Sequence, residues 1–176
     1  MASPVGHTIV GLASAAVVQR ATAIPPSPEL WIGAFIASGV PDLDVFLQLV
    51  GLKGPRYHRN VSHSIFLGIA LVGAVWLVAR FAPLALDAGV LLAWLAAIVS
   101  HPLLDYVTTG PRLGESGYGI ALLWPFSRRR FYSRHLFLAR DRGETHTWDY
   151  LPQALEETIR IGPVALLAVL AARAIF

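Results

Sequence analysis

Long apolar runs constrain the fold of this chain more than any other feature. Residues 64–81 and 84–104 each approach the roughly 20 residues that cross a hydrocarbon core about 30 Å thick. Shorter apolar runs cover residues 8–24, 29–40 and 161–176, and the last two are short for a full crossing. Because a backbone in hydrocarbon must satisfy its own hydrogen bonds, these runs predict helices rather than open strands.

The composition supports a membrane location. Of the 176 residues, 55% are hydrophobic and 14% are charged, whereas soluble domains carry about 25% charged residues. There is no Cys, which excludes disulfides, thiolate metal sites and Cys nucleophiles. The first six residues show no basic region or cleavage site of a removable signal peptide. We therefore predict an all-α integral membrane helical bundle of four to five hydrophobic helices, forming a single domain over residues 1–176.

Alternating crossings would bring polar segments to one membrane face. The starts of the first and third runs and the ends of the second and fourth share this face, together with the Arg-rich segment 105–160. Of the 14 Lys and Arg residues, only Arg20, Arg80 and Arg173 fall on the opposite face. By the positive-inside rule, the polar face is predicted to be cytoplasmic in a multi-pass protein of the cell membrane.

Histidine and aspartate residues concentrate on this face, where ionisable groups are costly and usually functional. His101 and Asp105 are spaced i, i+4, which puts both on one side of a helix. A turn at 41–44 supplies two carboxylates, and residues 58–64 supply two imidazoles before the third run. The candidate metal ligands are His7, Asp42, Asp44, His58, His63, His101 and Asp105.

Seven candidates exceed the three or four protein ligands of one catalytic zinc, so the sequence favours two divalent ions. Two ions about 3.5 to 4 Å apart would activate water and clamp the oxygens of a phosphoester. Imidazole and carboxylate donors suit zinc first, with manganese or iron as alternatives. Asp42, Asp44 and Arg59 are the candidate catalytic residues: a carboxylate would accept the proton, and the arginine would stabilise the developing anion.

The order of these motifs resembles a known family. An early His7, then ASGVPDLD, HRNVSHS, SHPLLDY and LLWPFSRRRFY, is similar to the YdjM family of bacterial and archaeal inner-membrane proteins, described as membrane-bound metal-dependent hydrolases. The match spans roughly residues 7–132. The family is thought to be distantly similar to zinc-dependent phospholipase C and P1-type nucleases, although this chain has no HxxxE pair. The resemblance implies a metal-dependent hydrolase of phosphoesters or a lipid-linked substrate, with the seven ligands above as its polar signature.

Other interpretations remain open. The same side chains could hold a metal in a non-catalytic membrane scaffold, or form a polar network without metal. A transporter is disfavoured because the long runs carry almost no polar residue at mid-membrane. Ser62 and Ser64 fit helix caps better than nucleophiles.

Two further groups of residues have ambiguous roles. The basic and aromatic cluster at 124–132 fits a membrane interface on anionic lipid better than a nucleic-acid site. A role of His135, Glu144 or His146 in the site is undecided. The expected partners are the bilayer and a lipid-like or phosphoester substrate, and the sequence does not predict an oligomeric state.

Overall fold

The computed structural model describes residues 2–52, 60–82, 86–109, 119–133 and 150–176, and these form a helical bundle. The α-helices are α1 (Pro4–Ala21), α2 (Pro28–Gly39), α3 (Ile65–Phe81), α4 (Ala88–Thr108) and α5 (Tyr150–Ile175). Two 3₁₀ helices cover Val40–Val50 and Val61–His63. The described ranges contain no β-strand, only an isolated bridge between Ile120 and Phe131. The predicted all-α class is confirmed.

Capping residues explain where the helices begin. The Ser27 side chain accepts a hydrogen bond from the Leu30 amide, and Pro28 occupies the first turn of α2. The Asp87 carboxylate accepts from the Gly89 amide at the start of α4, and Ser64 caps α3. Ser64 therefore plays the capping role that the sequence favoured.

Within the described residues, three helical stretches are long and apolar enough to span a membrane: Pro28–Leu47, Ala88–Thr108 and Ala154–Ile175. The helical segment of the second apolar run does not end at residue 40. Pro41 has no amide donor, and the chain continues over Val40–Val50 as a 3₁₀ helix. The last helix is also longer than the apolar run at 161–176. Helix α5 begins at Tyr150, and an i, i+4 ion pair between Glu156 and Arg160 stabilises a turn that composition alone did not reveal.

Helix α1 lies inside the bundle, packed against α2, α4 and α5. Predicted as the first crossing, it is not among the three long apolar helices of the described residues, and it carries the buried polar side chains His7 and Gln19. A helix surrounded by other helices does not need a lipid-facing apolar surface, which explains its lower hydrophobicity.

Small residues allow the helices to approach closely. Ala15, Leu30, Ala34, Ala93 and Ala97 form the centre of the core.

Helices α2 and α4 pack most closely around one glycine. A Cβ on Gly33 would lie 2.0 Å from the Trp94 ring, so only glycine fits there. The Trp94 indole donates a hydrogen bond to the Leu30 carbonyl at 3.1 Å. This packing fixes α2 against α4, and the polar segments that follow α2 and end α4 meet at one end of the bundle.

Candidate metal centre

Helix α4 contributes two fully buried side chains, His101 and Asp105. His101 Nδ1 lies 2.7 Å from the Ser38 carbonyl oxygen of α2. Because a carbonyl only accepts hydrogen bonds, Nδ1 carries the proton and Nε2 keeps its lone pair. Nε2 lies 3.9 Å from Asp105 Oδ2, so the backbone of α2 orients this imidazole toward the carboxylate.

The two 3₁₀ helices complete a group of four donors. Asp42 Oδ1 lies 3.4 Å from His101 Nε2 and 3.6 Å from His63 Nε2. His63 Nε2 lies 3.2 Å from Asp105 Oδ2. Ligands about 2.0–2.1 Å from a tetrahedral zinc lie roughly 3.3 Å from one another. Asp42, His63 and His101 have ligand atoms within 4.8 Å of one another, so these three can hold one small divalent ion, and Asp105 lies beside this set.

His7 of α1 approaches the other oxygen of the same aspartate. Its Nε2 lies 3.3 Å from Asp105 Oδ1, and its ring stacks on His101 with a centroid distance of 3.5 Å and an interplanar angle of 7°. Asp105 thus faces His63 with one oxygen and His7 with the other. A carboxylate in this position can bind one ion or bridge two.

Asp44 lies on the opposite side of the His63 ring. Its Oδ2 is 3.5 Å from His63 Nδ1, the nitrogen that faces away from Asp42. The Ser62 hydroxyl hydrogen-bonds to Asp44 and lies 3.0 Å from the same ring nitrogen. Carboxylates placed in this way orient a ligating imidazole and set its tautomer. The sequence predicted that one aspartate of this turn binds a metal or orients a histidine, and Asp44 lies beside His63 Nδ1 rather than beside Nε2.

Several donor atoms of the cluster lack a hydrogen bond within the described part of the chain. These atoms are both ring nitrogens of His7, His101 Nε2, Asp42 Oδ1 and both oxygens of Asp105. Buried polar atoms without partners are unfavourable, and a cation among them would remove this penalty.

The electrostatics of the cluster also favour a cation. Burial opposes protonation of His63, but hydrogen bonds with the three surrounding carboxylates outweigh it and hold the pKa of His63 well above its usual value. The carboxylates thus attract positive charge to this point of the bundle.

The donors form two overlapping groups. His7, His101 and Asp105 have ligand atoms within 4.8 Å of one another, and so do Asp42, His63 and His101. His101 belongs to both groups but has only Nε2 available, since Nδ1 contacts Ser38. Two ions cannot both use His101, so a second ion would depend on Asp105 and His7.

Several sequence candidates fall outside this description. His58 and Arg59, as well as His135, Glu144 and His146, lie outside the described residues. The remaining candidate ligands converge on one end of the bundle.

Glu157 of α5 is a buried polar residue that the sequence analysis missed. Both carboxylate oxygens accept from the Ser3 amide at 2.8 Å, and one also accepts from the Ser3 hydroxyl. The i, i+4 spacing of Glu156 and Arg160 was a hint in the sequence, because this pair occupies a more exposed side of α5 while Glu157, one residue further on, is buried. The carboxylate attaches α5 to the start of α1, one turn before His7.

The fold and the cluster together define an α-helical membrane protein with a buried His/Asp centre at one end of its bundle. The family model described as YdjM inner membrane protein matches residues 1–176, and the chain belongs to this family. Inner membrane protein YbcI of Escherichia coli (strain K12) is 32% identical over 112 residues. The aligned part covers 60% of this chain and 59% of that protein, so the match spans less than two thirds of the curated relative. No solved structure matches the chain significantly.

Proposed function

We propose that this protein is a membrane-bound metal-dependent hydrolase of phosphoesters or of a lipid-linked substrate. The observation that carries the proposal is the presence of two overlapping groups of three His and Asp side chains, whose ligand atoms lie within 4.8 Å of one another. Zinc is the metal that best fits imidazole and carboxylate donors in this arrangement. Catalytic sites of this class use three or more such ligands and keep one position for water or substrate.

In this proposal, Asp42, His63 and His101 hold the primary ion and leave a fourth position for water or substrate. Asp105 Oδ1 and His7 provide the start of a second position, which is where the second ion predicted from the sequence would bind. A divalent ion in such a site supplies Lewis acidity and lowers the pKa of bound water toward neutrality.

The side chains differ in their access to substrate. His7, His63, His101 and Asp105 are at most 1% exposed, whereas the Asp42 side chain is 26% exposed. Asp42 therefore lies at the accessible edge of the described cluster and is placed to accept a proton from an attacking water. In the same proposal, Asp44 keeps His63 in orientation, His58 adds a ligand and Arg59 stabilises the anionic group of the substrate.

We place the metal centre on the cytoplasmic side. Arg128, Arg129 and Arg130 lie in a loop that contacts the start of α3 and the end of α4, the end of the bundle that holds the cluster. An excess of arginine on one side of a multi-pass protein favours a cytoplasmic location for that side. A substrate would then reach the centre from the inner leaflet or the cytoplasm.

The first test is the metal content of detergent-purified protein. We expect wild type to hold one or two divalent ions and Asp105→Asn to lose them. The matched control is Asp87→Asn, the same chemical change at the other end of the same helix, where Asn caps as well as Asp. Equal metal content in wild type and Asp105→Asn would refute the ligand assignment.

The second test is turnover. Metal-loaded wild type should release product from bis-nitrophenyl phosphate or from phospholipid in mixed micelles, while chelated protein and Asp105→Asn should not. Metal binding without turnover of any phosphoester would refute the hydrolase and favour the second candidate, a non-catalytic metal-stabilised scaffold. The near-complete burial of four donors is the observation that favours that candidate.

A further inference from the structure

A basic loop lies beside the metal centre. We call residues 119–133 the basic hairpin, because Ile120 and Phe131 exchange two backbone hydrogen bonds of 2.9 Å. Gly119 begins it with φ +99°, and a Cβ there would lie 2.9 Å from the Phe131 carbonyl oxygen. Arg130 closes the base by donating to the Gly119 carbonyl at 2.9 Å. The hairpin is therefore a built element with a defined conformation.

The basic hairpin is attached to the start of α3 and to the end of α4. The Ile65 amide donates to the Leu122 carbonyl at 3.1 Å, and the Ser64 hydroxyl donates to the Trp124 carbonyl, both at the start of α3. The Ser133 amide donates to the Tyr106 and Thr109 carbonyls at the end of α4. These anchors set the hairpin at the interface level of a helix that spans the bilayer.

The exposed surface of the basic hairpin combines positive charge with apolar side chains. Arg128 and Arg129 are exposed, and residues 119–133 contain three arginines and no acidic residue. The Phe126 side chain is 79% exposed. Its ring contacts Phe66 of the first turn of α3 at a centroid distance of 4.7 Å, which continues the lipid-facing surface of that helix. Exposed positive charge close to exposed aromatic surface is the pattern of a headgroup contact, and Arg129 lies 5.5 Å from the ring centre of Phe131.

We propose that the basic hairpin binds the headgroup of an anionic phospholipid in the leaflet next to the metal centre. Arg128 and Arg129 contact the phosphate, and Phe126 inserts at the level of the acyl chains. The occupant is a bilayer lipid rather than a soluble anion, because the anchors place the cationic side chains at the membrane surface and Phe126 extends the exposed surface of α3. This inference goes beyond the proposed hydrolase, since lipid binding requires neither metal nor turnover.

The test compares binding of dioleoyl phosphatidylglycerol and dioleoyl phosphatidylcholine to full-length protein in detergent, by native mass spectrometry. Wild type should prefer phosphatidylglycerol. The double substitution Arg128→Gln/Arg129→Gln should reduce this preference by about 30-fold, since each arginine near an anionic surface contributes roughly fivefold. Arg128→Lys/Arg129→Lys keeps the charges and should keep most of the preference.

The matched control is Arg80→Gln at the other end of α3. Arg80 lies 5.9 Å from the ring centre of the half-exposed Trp76, so it also combines a cation with an aromatic side chain. This substitution should leave the preference unchanged.

Three results would overturn the inference. These are equal binding of the two lipids by wild type, an unchanged preference in the Gln double variant, and selective binding of single-stranded RNA over phosphatidylglycerol vesicles. The metal content of each variant separates this question from the proposed function. We expect the Gln double variant to retain metal while losing lipid preference, and failure of the hydrolase would leave the lipid result intact.

Discussion

The two ends of the bundle use polar residues in different ways. At the end that joins α1 to α2 and α3 to α4, polar side chains finish helices. Gln19 donates to the Ile24 carbonyl at 2.6 Å, Thr22 to the Val18 carbonyl, and Asp87 accepts from an amide. At the other end, histidines and aspartates face one another. Polar groups engaged with backbone complete a fold, whereas buried polar groups that face each other leave donors for a ligand.

Among the substitutions that test this difference between the two ends of the bundle, the largest effect is expected for one at His101. His101→Ala removes the one nitrogen that both donor groups share, so metal binding and hydrolysis should both be lost. Elemental analysis and single-substrate turnover measure this. Leu92→Ala, at a half-exposed position of the same helix, is the control and should retain both properties. Retention of metal by His101→Ala would contradict the assignment of His101 as the ligand shared by both donor groups.

A substitution at Asp42 is expected to separate metal binding from catalysis. Asp42→Asn keeps an oxygen ligand but removes the proton acceptor at the accessible edge, so kcat should fall by about 10²- to 10⁴-fold. Metal content under excess zinc should stay close to that of wild type. An unchanged kcat would assign the proton transfer to another group.

Asp44 distinguishes an orienting carboxylate from a ligand. Asp44→Asn weakens the group that holds His63, and metal affinity should fall by about 10- to 100-fold, as measured by competition with a chelator. Excess metal should then restore both occupancy and turnover. If saturating metal fails to restore occupancy, Asp44 is a direct ligand, as the sequence suggested.

A substitution of Glu157 tests whether a polar contact at the end of the bundle that holds the metal centre contributes only to folding. Glu157→Gln weakens the bonds to Ser3 and should lower the free energy of unfolding by about 1–3 kcal/mol. Thermal unfolding in detergent measures this change. Metal content should remain that of wild type. A loss of metal would show instead that α5 positions His7.

The smallest effect is expected at the opposite end. Asp87→Asn keeps the side-chain oxygen that caps α4 and should change stability by only a few tenths of a kcal/mol. Metal content and lipid preference should be unchanged. A clear change in metal content or in lipid preference would contradict the functional distinction between the two ends of the bundle.

Much of the architecture follows from hydrophobicity and helix-breaking residues. The all-α class required only the lengths of the apolar runs and the need of a backbone in hydrocarbon to satisfy its own hydrogen bonds. The continuation of the helical segment through Val50 and the start of α5 at Tyr150 were missed, because Pro41 and two aspartates interrupt the first stretch and charged residues interrupt the second, so neither is a continuous apolar run.

The proximity of the described candidate residues was predictable from the sequence, but the geometry of their side chains was not. Alternating crossings brought His7, His63, Asp42 and the pair on α4 to one end, and the structure places them within a few ångströms of one another. The orientation of each ring was not predictable. The Ser38 carbonyl that sets the tautomer of His101 is a backbone group, and a sequence does not indicate where a carbonyl points.

His7 and His101 are far apart in the sequence, and this distance affects the order of membrane insertion and helix assembly. The three long apolar helical stretches can insert into the bilayer by their own hydrophobicity, but the donor groups form only after α1, both 3₁₀ helices and α4 have assembled. A metal ion would thus act on the later association of the inserted helices and leave the insertion of each one unaffected. We expect cells short of the metal to contain correctly inserted chains whose helices remain loosely packed.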